Sequence, residues 1–161
     1  MAPINLKTEE VLKPQVQRVL GKISARLGAL LPEAKLHHIG ATAIPGALTK
    51  GDVDVLLQVS ATRFQTVVGL LERHFTVKQR SNWTPEFASF GDDTGFDLPL
   101  GIQVVVKDGR YDFLLFLRDY LISHPDALAE YNCLKRTHAT EGAEGYWKAK
   151  NSFFDEILDS R

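Results

Sequence analysis

The stretch His38-Ile39-Gly40-Ala41-Thr42-Ala43-Ile44-Pro45-Gly46, followed by Thr49-Lys50-Gly51-Asp52-Val53-Asp54-Val55-Leu56-Leu57, decides how this chain is read. Its first half reads as a strand end, a tight turn and small residues able to open a short helix. Gly40 permits a close backbone approach, Thr42 suits an N-cap, and a helix start near Ile44 or Pro45 would aim unpaired N–H groups at a phosphate. Its second half reads as a β-branched strand over 53–59, with Asp52 and Asp54 on the face opposite Val53, Val55, Leu57 and Val59. Aspartate is unfavourable in strands, and two at alternate positions bring no packing gain. Carboxylates about 6.6 Å apart along a strand can converge on a hard cation such as Mg2+, which takes carboxylate oxygens together with substrate phosphates. Each half also has an ordinary explanation, a Gly-Ala turn and a solvated sheet face. Their succession is the specific feature: a glycine turn, ten residues, then Asp-apolar-Asp.

Outward from this stretch, periodicity predicts a helix over 8–28, opened by Thr8, bent by Pro14 and ended at Gly28, with Val16, Val19, Ile23 and Leu27 on one stripe. Further predictions are a strand over 35–39, a connection over 40–51, a helix over 62–74, and strands over 75–79, 87–90 and 101–107. Asp92, Asp93 and Asp97 lie in a turn-rich acidic segment before the last strand. Turn geometry explains all three, and Asp97 is close enough in sequence to supply a third acid. Helices follow over 111–123, 125–138 and 142–159, with Pro125 at a first helical position. The sum is one α/β (α+β) domain over 1–161, with a mixed sheet over about 35–107 and a helical cap over about 110–159.

A chain of 161 residues suits one globular domain, and a 44% hydrophobic fraction with 24% charged residues excludes disorder. Nineteen Lys and Arg against twenty Asp and Glu leave a net charge of −1. No general attraction to nucleic acid or to a membrane surface follows, so an anionic ligand needs a local cluster of cations. The single cysteine, Cys133, can form neither an intrachain disulfide nor a CxxC pair, which points to a reducing compartment and a cytoplasmic location. The N-terminal residues lack a leader pattern and no apolar run is long enough to span a bilayer, so neither secretion nor membrane insertion is expected.

The glycine turn and acidic strand together resemble the signature of the nucleotidyltransferase superfamily. The longer string is similar to the GrpB (UPF0157) family, whose members carry an H-I/V-G-S-T-x-V/I-P-G block before an acidic strand. Phe116-Leu117-Arg118-Asp119-Tyr120-Leu121, His124-Pro125, Tyr131-Asn132-Cys133-Leu134-Lys135 and Tyr146-Trp147-Lys148-Ala149-Lys150-Asn151-Ser152-Phe153 resemble its FRDYL, HP, YNxLK and YxxAKxxF stretches. The likeness spans about 35–158. It implies a nucleotidyltransferase-like mixed sheet packed with helices, Mg2+ held by Asp52 and Asp54 as the catalytic pair, and a substrate seated by Gly40, Ala41, Thr42 and Lys50. Two departures stand out. Ala41 replaces the family's serine, and Gln103 stands where superfamily enzymes often place a third carboxylate. An amide there can coordinate a cation or read a base or sugar, but it cannot act as a base.

Two lysines sit inside aromatic stripes: Lys150 among Tyr146, Trp147, Phe153 and Phe154, and Lys135 four residues after Tyr131. Both could reach inward to an anion, and both could snorkel to water. His37 and His38 adjoin in a strand and point to opposite faces, which disfavours a shared zinc; His38 is better placed to brace the Gly40 turn. The expectation is a Mg2+-dependent protein that binds a nucleoside triphosphate, or another phosphorylated small molecule, and transfers a nucleotidyl group to an unidentified acceptor. The alternative is an inactive member of the fold, serving as a nucleotide sensor or a chaperone-like interaction module.

Overall fold

The computed structural model describes residues 4–161. In chain order the elements are β1 (Lys7–Thr8), a 3-10 turn (Glu9–Leu12), α1 (Lys13–Leu30), β2 (Lys35–Ile39), a 3-10 turn (Ala41–Ala43), β3 (Leu48–Thr49), β4 (Val53–Val59) and α2 (Phe64–Glu72). There follow β5 (Thr76–Val77), a 3-10 turn (Arg80–Asn82), β6 (Phe87–Asp92), β7 (Leu100–Val106), α3 (Leu114–Ser123), α4 (Pro125–His138), a 3-10 turn (Ala139–Glu141) and α5 (Gly142–Asp159).

β4 organises the sheet. It runs parallel to β7, with Val53 opposite Leu100 and Val59 opposite Val106, and antiparallel to β2, with Ile39 opposite Asp54. β6 and β5 add antiparallel strands, giving a mixed five-stranded sheet of order β2-β4-β7-β6-β5. The alternation within β4 sets the two faces. Val53, Val55, Leu57 and Val59 pack with Ile102, Val104 and Val106 of β7 against α1 and α2, which contribute Val19, Ile23, Leu27, Phe64, Val67 and Leu71.

The other face is covered as well. Leu56 is completely buried there with Ile39 and Val105, against Phe87, Tyr111, Leu114 and Leu115. Beside it, Ile44 and Ala47 join Leu117 and Leu121 of α3, Tyr131 of α4, and Phe153 and Ile157 of α5 in a further cluster. The helical cap is thus built directly on the turn that follows β2. No helix among the described residues is long and apolar enough to cross a membrane.

Three local readings change. Thr8 ends β1 and pairs with Leu48 of β3 in a separate two-stranded sheet, so the first α-helix begins at Lys13. Pro14 falls in the first turn of that helix, where a missing N–H costs nothing, and Gly28 lies inside a helix that continues to Leu30. The 40–51 connection contains β3, which is held by two side chains of α4. Asn132 Oδ1 accepts from the Leu48 N–H at 2.9 Å while its Nδ2 donates to the Gly46 carbonyl at 2.9 Å; Lys135 Nζ donates to the Leu48 carbonyl. Asn132→Ala leaves two main-chain groups unpaired in the protein, and urea unfolding of this variant is expected to lose about 1–2 kcal/mol with an unchanged m-value.

Candidate active site

Asp54 opens into a cleft of 690 Å3 between the sheet and the helical cap, a volume typical of small-molecule sites. Two glycines make room for its carboxylate. Gly40 follows β2 at φ +77°, a conformation that favours glycine, and a Cβ there would lie 2.7 Å from Asp54 Oδ2. Gly101 faces Asp54 across the β4–β7 ladder, and a Cβ there would strike Oδ1. The carboxylate therefore lies in a slot between two backbones and remains half-buried. Burial pushes Asp54 up to about 6; the charge of Lys150 opposes that rise, while Asp52 adds to it.

Asp52 precedes β4 rather than lying within it, at the same end of the cleft as a pair of lysines. Lys50 Nζ is 3.1 Å from Asp52 Oδ2 and 4.6 Å from the centre of the Trp147 ring. Lys150 Nζ lies 4.5 Å from the centre of that ring, so one indole gathers two ammonium groups beside two carboxylates. Burial pushes Lys150 down, and the charge of Asp54 draws it back up. Such a cluster is matched to a ligand that carries its own charges: the lysines fit phosphate oxygens and the carboxylates fit a hard cation.

Of the residues singled out in the sequence, Gly40, Ala41, Lys50, Asp52, Asp54, Gln103 and Lys150 line this one cleft. Thr42 and Lys135 do not. The Thr42 side chain turns away and pairs with His38 Nε2 at 2.9 Å, with no capping bond. The turn also lacks a helix start at Ile44 or Pro45. The amides of Ala43 and Ile44 bond the carbonyls of Gly40 and Ala41, and the amide of Gly46 bonds Glu9 Oε1. Lys135 is 1% exposed, beneath the cleft, between the Leu48 carbonyl and the Tyr131 ring. Burial pushes it down to about 7, with Lys150 contributing.

Asp97 pairs with Arg18 of α1 at 2.5 Å, which removes it as a third acid. Asp92 accepts from the amides of Thr94 and Gly95, and Asp93 pairs with Lys78. Among the described residues no three His, Cys, Asp or Glu side chains gather as metal ligands would. Sequence reading gave no role to three residues that shape the cleft: Trp147, Gly101 and Arg118. Arg118 donates to the His38 carbonyl at 2.9 Å and pins the end of β2 before the Gly40 turn. Burial pushes His38 itself down to about 4, Arg118 assisting, so its imidazole is neutral near pH 7 and serves the turn through hydrogen bonding.

A mixed sheet carrying an Asp-apolar-Asp segment beside a glycine turn, roofed by helices, defines a nucleotidyltransferase-like α/β protein. The fold resembles the crystal structure of the conserved protein GrpB from Enterococcus faecalis, with a TM-score of 0.69 at 18% identity over 96% of this chain and 99% of that one. It also resembles the Cid1 poly(U) polymerase in its MgGTP-bound crystal structure, with a TM-score of 0.58 at 13% identity over 80% of this chain and 42% of the polymerase. In sequence, a UPF0157 protein of Vibrio cholerae serotype O1 is 33% identical over 138 residues, covering 85% of this chain and 72% of the relative. The GrpB protein family matches residues 10–160, and the chain belongs to that family.

The raised Asp54 value fixes the sign of a stability effect. Between its ordinary value of 3.8 and about 6, the folded protein holds a proton that the unfolded chain has lost, so stability falls as pH rises through this window. Above pH 6 the ionised carboxylate costs on the order of 3 kcal/mol. Asp54→Asn removes that cost, so its melting temperature at pH 7.5 is expected to exceed the wild type's. The two melting curves should converge by pH 4, where the native carboxyl is itself protonated.

Proposed function

We propose that the cleft binds a nucleoside triphosphate together with Mg2+ and transfers its nucleotidyl group to an acceptor. The observation that carries this reading is the convergence of Asp52 and Asp54 with Lys50 and Lys150 around Trp147. The donor set fits the cation. Asp54 lies in a slot that a Cβ would fill, Asp52 lines the same cleft, and Mg2+ is commonly bound by one or two carboxylates with substrate phosphates completing its shell. Bound there, it supplies neutralisation of phosphate charge.

Lys50 and Lys150 hold the triphosphate by charge-assisted hydrogen bonds, and the Gly40–Ala41 backbone limits how far the phosphates can shift. Transfer forms a bond from an acceptor oxygen to the α-phosphorus as the bond to the bridging oxygen breaks and pyrophosphate leaves. A second reading has its own support: the neutral Gln103, with no trio of acids among the described residues, suits a protein that binds nucleotide without turnover.

Incubation with labelled nucleoside triphosphates and Mg2+ separates these readings. Label transferred with release of pyrophosphate establishes the enzyme, and saturable Mg2+-dependent binding without release establishes the sensor. No Mg2+-dependent binding of any triphosphate overturns both. Gly101→Ala drives a methyl group into the Asp54 carboxylate and should abolish the Mg2+ dependence of binding in a protein whose circular dichroism is unchanged.

Lys150→Met keeps most of the stem's packing against Trp147 while deleting the charge. Calorimetric nucleotide affinity is expected to fall by about 1.5–3 kcal/mol. Lys135→Met should leave affinity intact and lower only the melting temperature, because its ammonium group serves the Leu48 carbonyl. Unaltered affinity in a folded Lys150→Met protein would remove Lys150 from the site.

A further inference from the structure

The cleft has two chemically different halves, and the strand register orders them. Asp54, Gly101 and Gly91 lie abreast on β4, β7 and β6; in the next row Leu56, Gln103 and Ser89 lie abreast. Asp52 precedes Asp54 by two residues and Gln103 lies one row beyond it, since β4 and β7 are parallel. Along the strands, Asp52 and Gln103 are therefore about 13 Å apart, on opposite sides of Asp54. Lys50, paired with Asp52 and resting on Trp147, belongs to the first half.

Among the described residues the cations of the second half are already engaged. Lys78 is paired with Asp93, and Arg118 is engaged by Asp119 and the His38 carbonyl. On the helical side its walls are apolar, formed by Phe113, Leu114 and Leu117; on the sheet side Phe87 is joined by the polar Gln79 and Asn82 in lining the cleft. Within the second row Leu56 is sealed in the core and the Ser89 hydroxyl donates to the Lys78 carbonyl. Gln103 is half-buried in the same cleft, and its amide has no hydrogen-bond partner among the described residues. A primary amide carries an acceptor and two donors side by side, which is the complement of a heterocyclic base edge with an adjacent donor and acceptor.

We propose that this second half is a nucleobase subsite and that Gln103 sets which base it accepts. The reading rests on the proposed nucleotide site and adds its orientation: phosphates toward Lys50 and Lys150, ring toward Phe113, Leu114 and Leu117. The apolar walls hold the flat ring by burial, and the Gln103 amide supplies discrimination, because a mismatched edge leaves buried polar groups unpaired. Gln103 is a specificity residue here, since an amide has no proton to exchange near pH 7.

The test compares Mg2+ complexes of the four ribonucleoside triphosphates and of inorganic tripolyphosphate, binding to the wild type, to Gln103→Leu and to Lys150→Met. The wild type is expected to bind at least one nucleotide more tightly than tripolyphosphate and to rank the bases unequally. Gln103→Leu should weaken the preferred nucleotide by about three- to tenfold and level the ranking while leaving tripolyphosphate affinity unchanged. Lys150→Met should weaken nucleotides and tripolyphosphate alike. If the wild type binds all four nucleotides no better than tripolyphosphate, or Gln103→Leu keeps the wild-type ranking, the base subsite is wrong while the phosphate site stands. If the wild type binds neither nucleotides nor tripolyphosphate, the nucleotide reading itself fails. A folded Gln103→Asn variant guards against a packing artefact. It shortens the side chain yet keeps the amide, so the ranking should change less than in the leucine variant; levelling as complete as in Gln103→Leu overturns the role of the amide.

Discussion

The Asp54 carboxylate is confined between two backbones, and much of the molecule follows from that confinement. It can lie against Gly40 and Gly101 only if β2 and β7 both flank β4, since those neighbours bring the two glycines to its sides. Serving as neighbour to both strands makes β4 the hub of the sheet, antiparallel on one side and parallel on the other. The parallel side requires a long crossover, and α2, β5 and β6 supply it while closing the core beneath. The same confinement raises the cost of the charge, because burial resists ionisation near neutral pH. A carboxylate held at that cost is poised for a ligand that supplies positive charge.

The helical cap answers this need twice. Asn132 and Lys135 of α4 satisfy both main-chain groups of Leu48, which fixes the chain just before Lys50 and Asp52. One helix later, Trp147 and Lys150 present an aromatic plane and an ammonium group to the same carboxylates. Tyr131 stacks on Phe153 at 5.3 Å and ties the two helices together, so the latch and the cationic wall belong to one packed unit. The two lysines consequently do different work. Lys135 completes a main-chain contact out of reach of the cleft, whereas Lys150 faces the cleft and balances the charge there.

Periodicity made the strands of β2 and β4 and the helices α4 and α5 legible to the residue, because their apolar spacing and the punctuation by Pro125 and Gly142 agree with tertiary packing. The start of α1 was not legible. Thr8 looks like a helix cap, but pairing with Leu48 draws it into a strand, and that partner lies forty residues away. The Gly40 turn and the acidic pair were visible as a pattern, yet Gly101 was only a glycine at the start of a strand. Its meaning depends on register, which places it across from Asp54. Lys135 and Lys150 look alike in sequence, each within an aromatic stripe; what separates them is the Leu48 carbonyl, a backbone atom that no side-chain pattern encodes. Asp97 was equally ambiguous until Arg18 of α1 came within 2.5 Å of it.

These placements bear on how a protein with a net charge of −1 would hold the proposed triphosphate. Long-range attraction is absent, so affinity must come from contacts made after encounter. Within the cleft most cations already have anionic partners: Lys78 with Asp93, Arg118 with Asp119, Lys50 with Asp52. Lys150 is the exception among them, facing Asp54 without an ion pair among the described residues. A polynucleotide backbone would need a track of unpaired cations, because each phosphate contact contributes its own share of the binding. The cleft places Lys50 and Lys150 at one end and, at the other, apolar side chains beside cations that are already paired. That asymmetry matches a single nucleotide, whose charge likewise resides at one end, far better than it matches a strand.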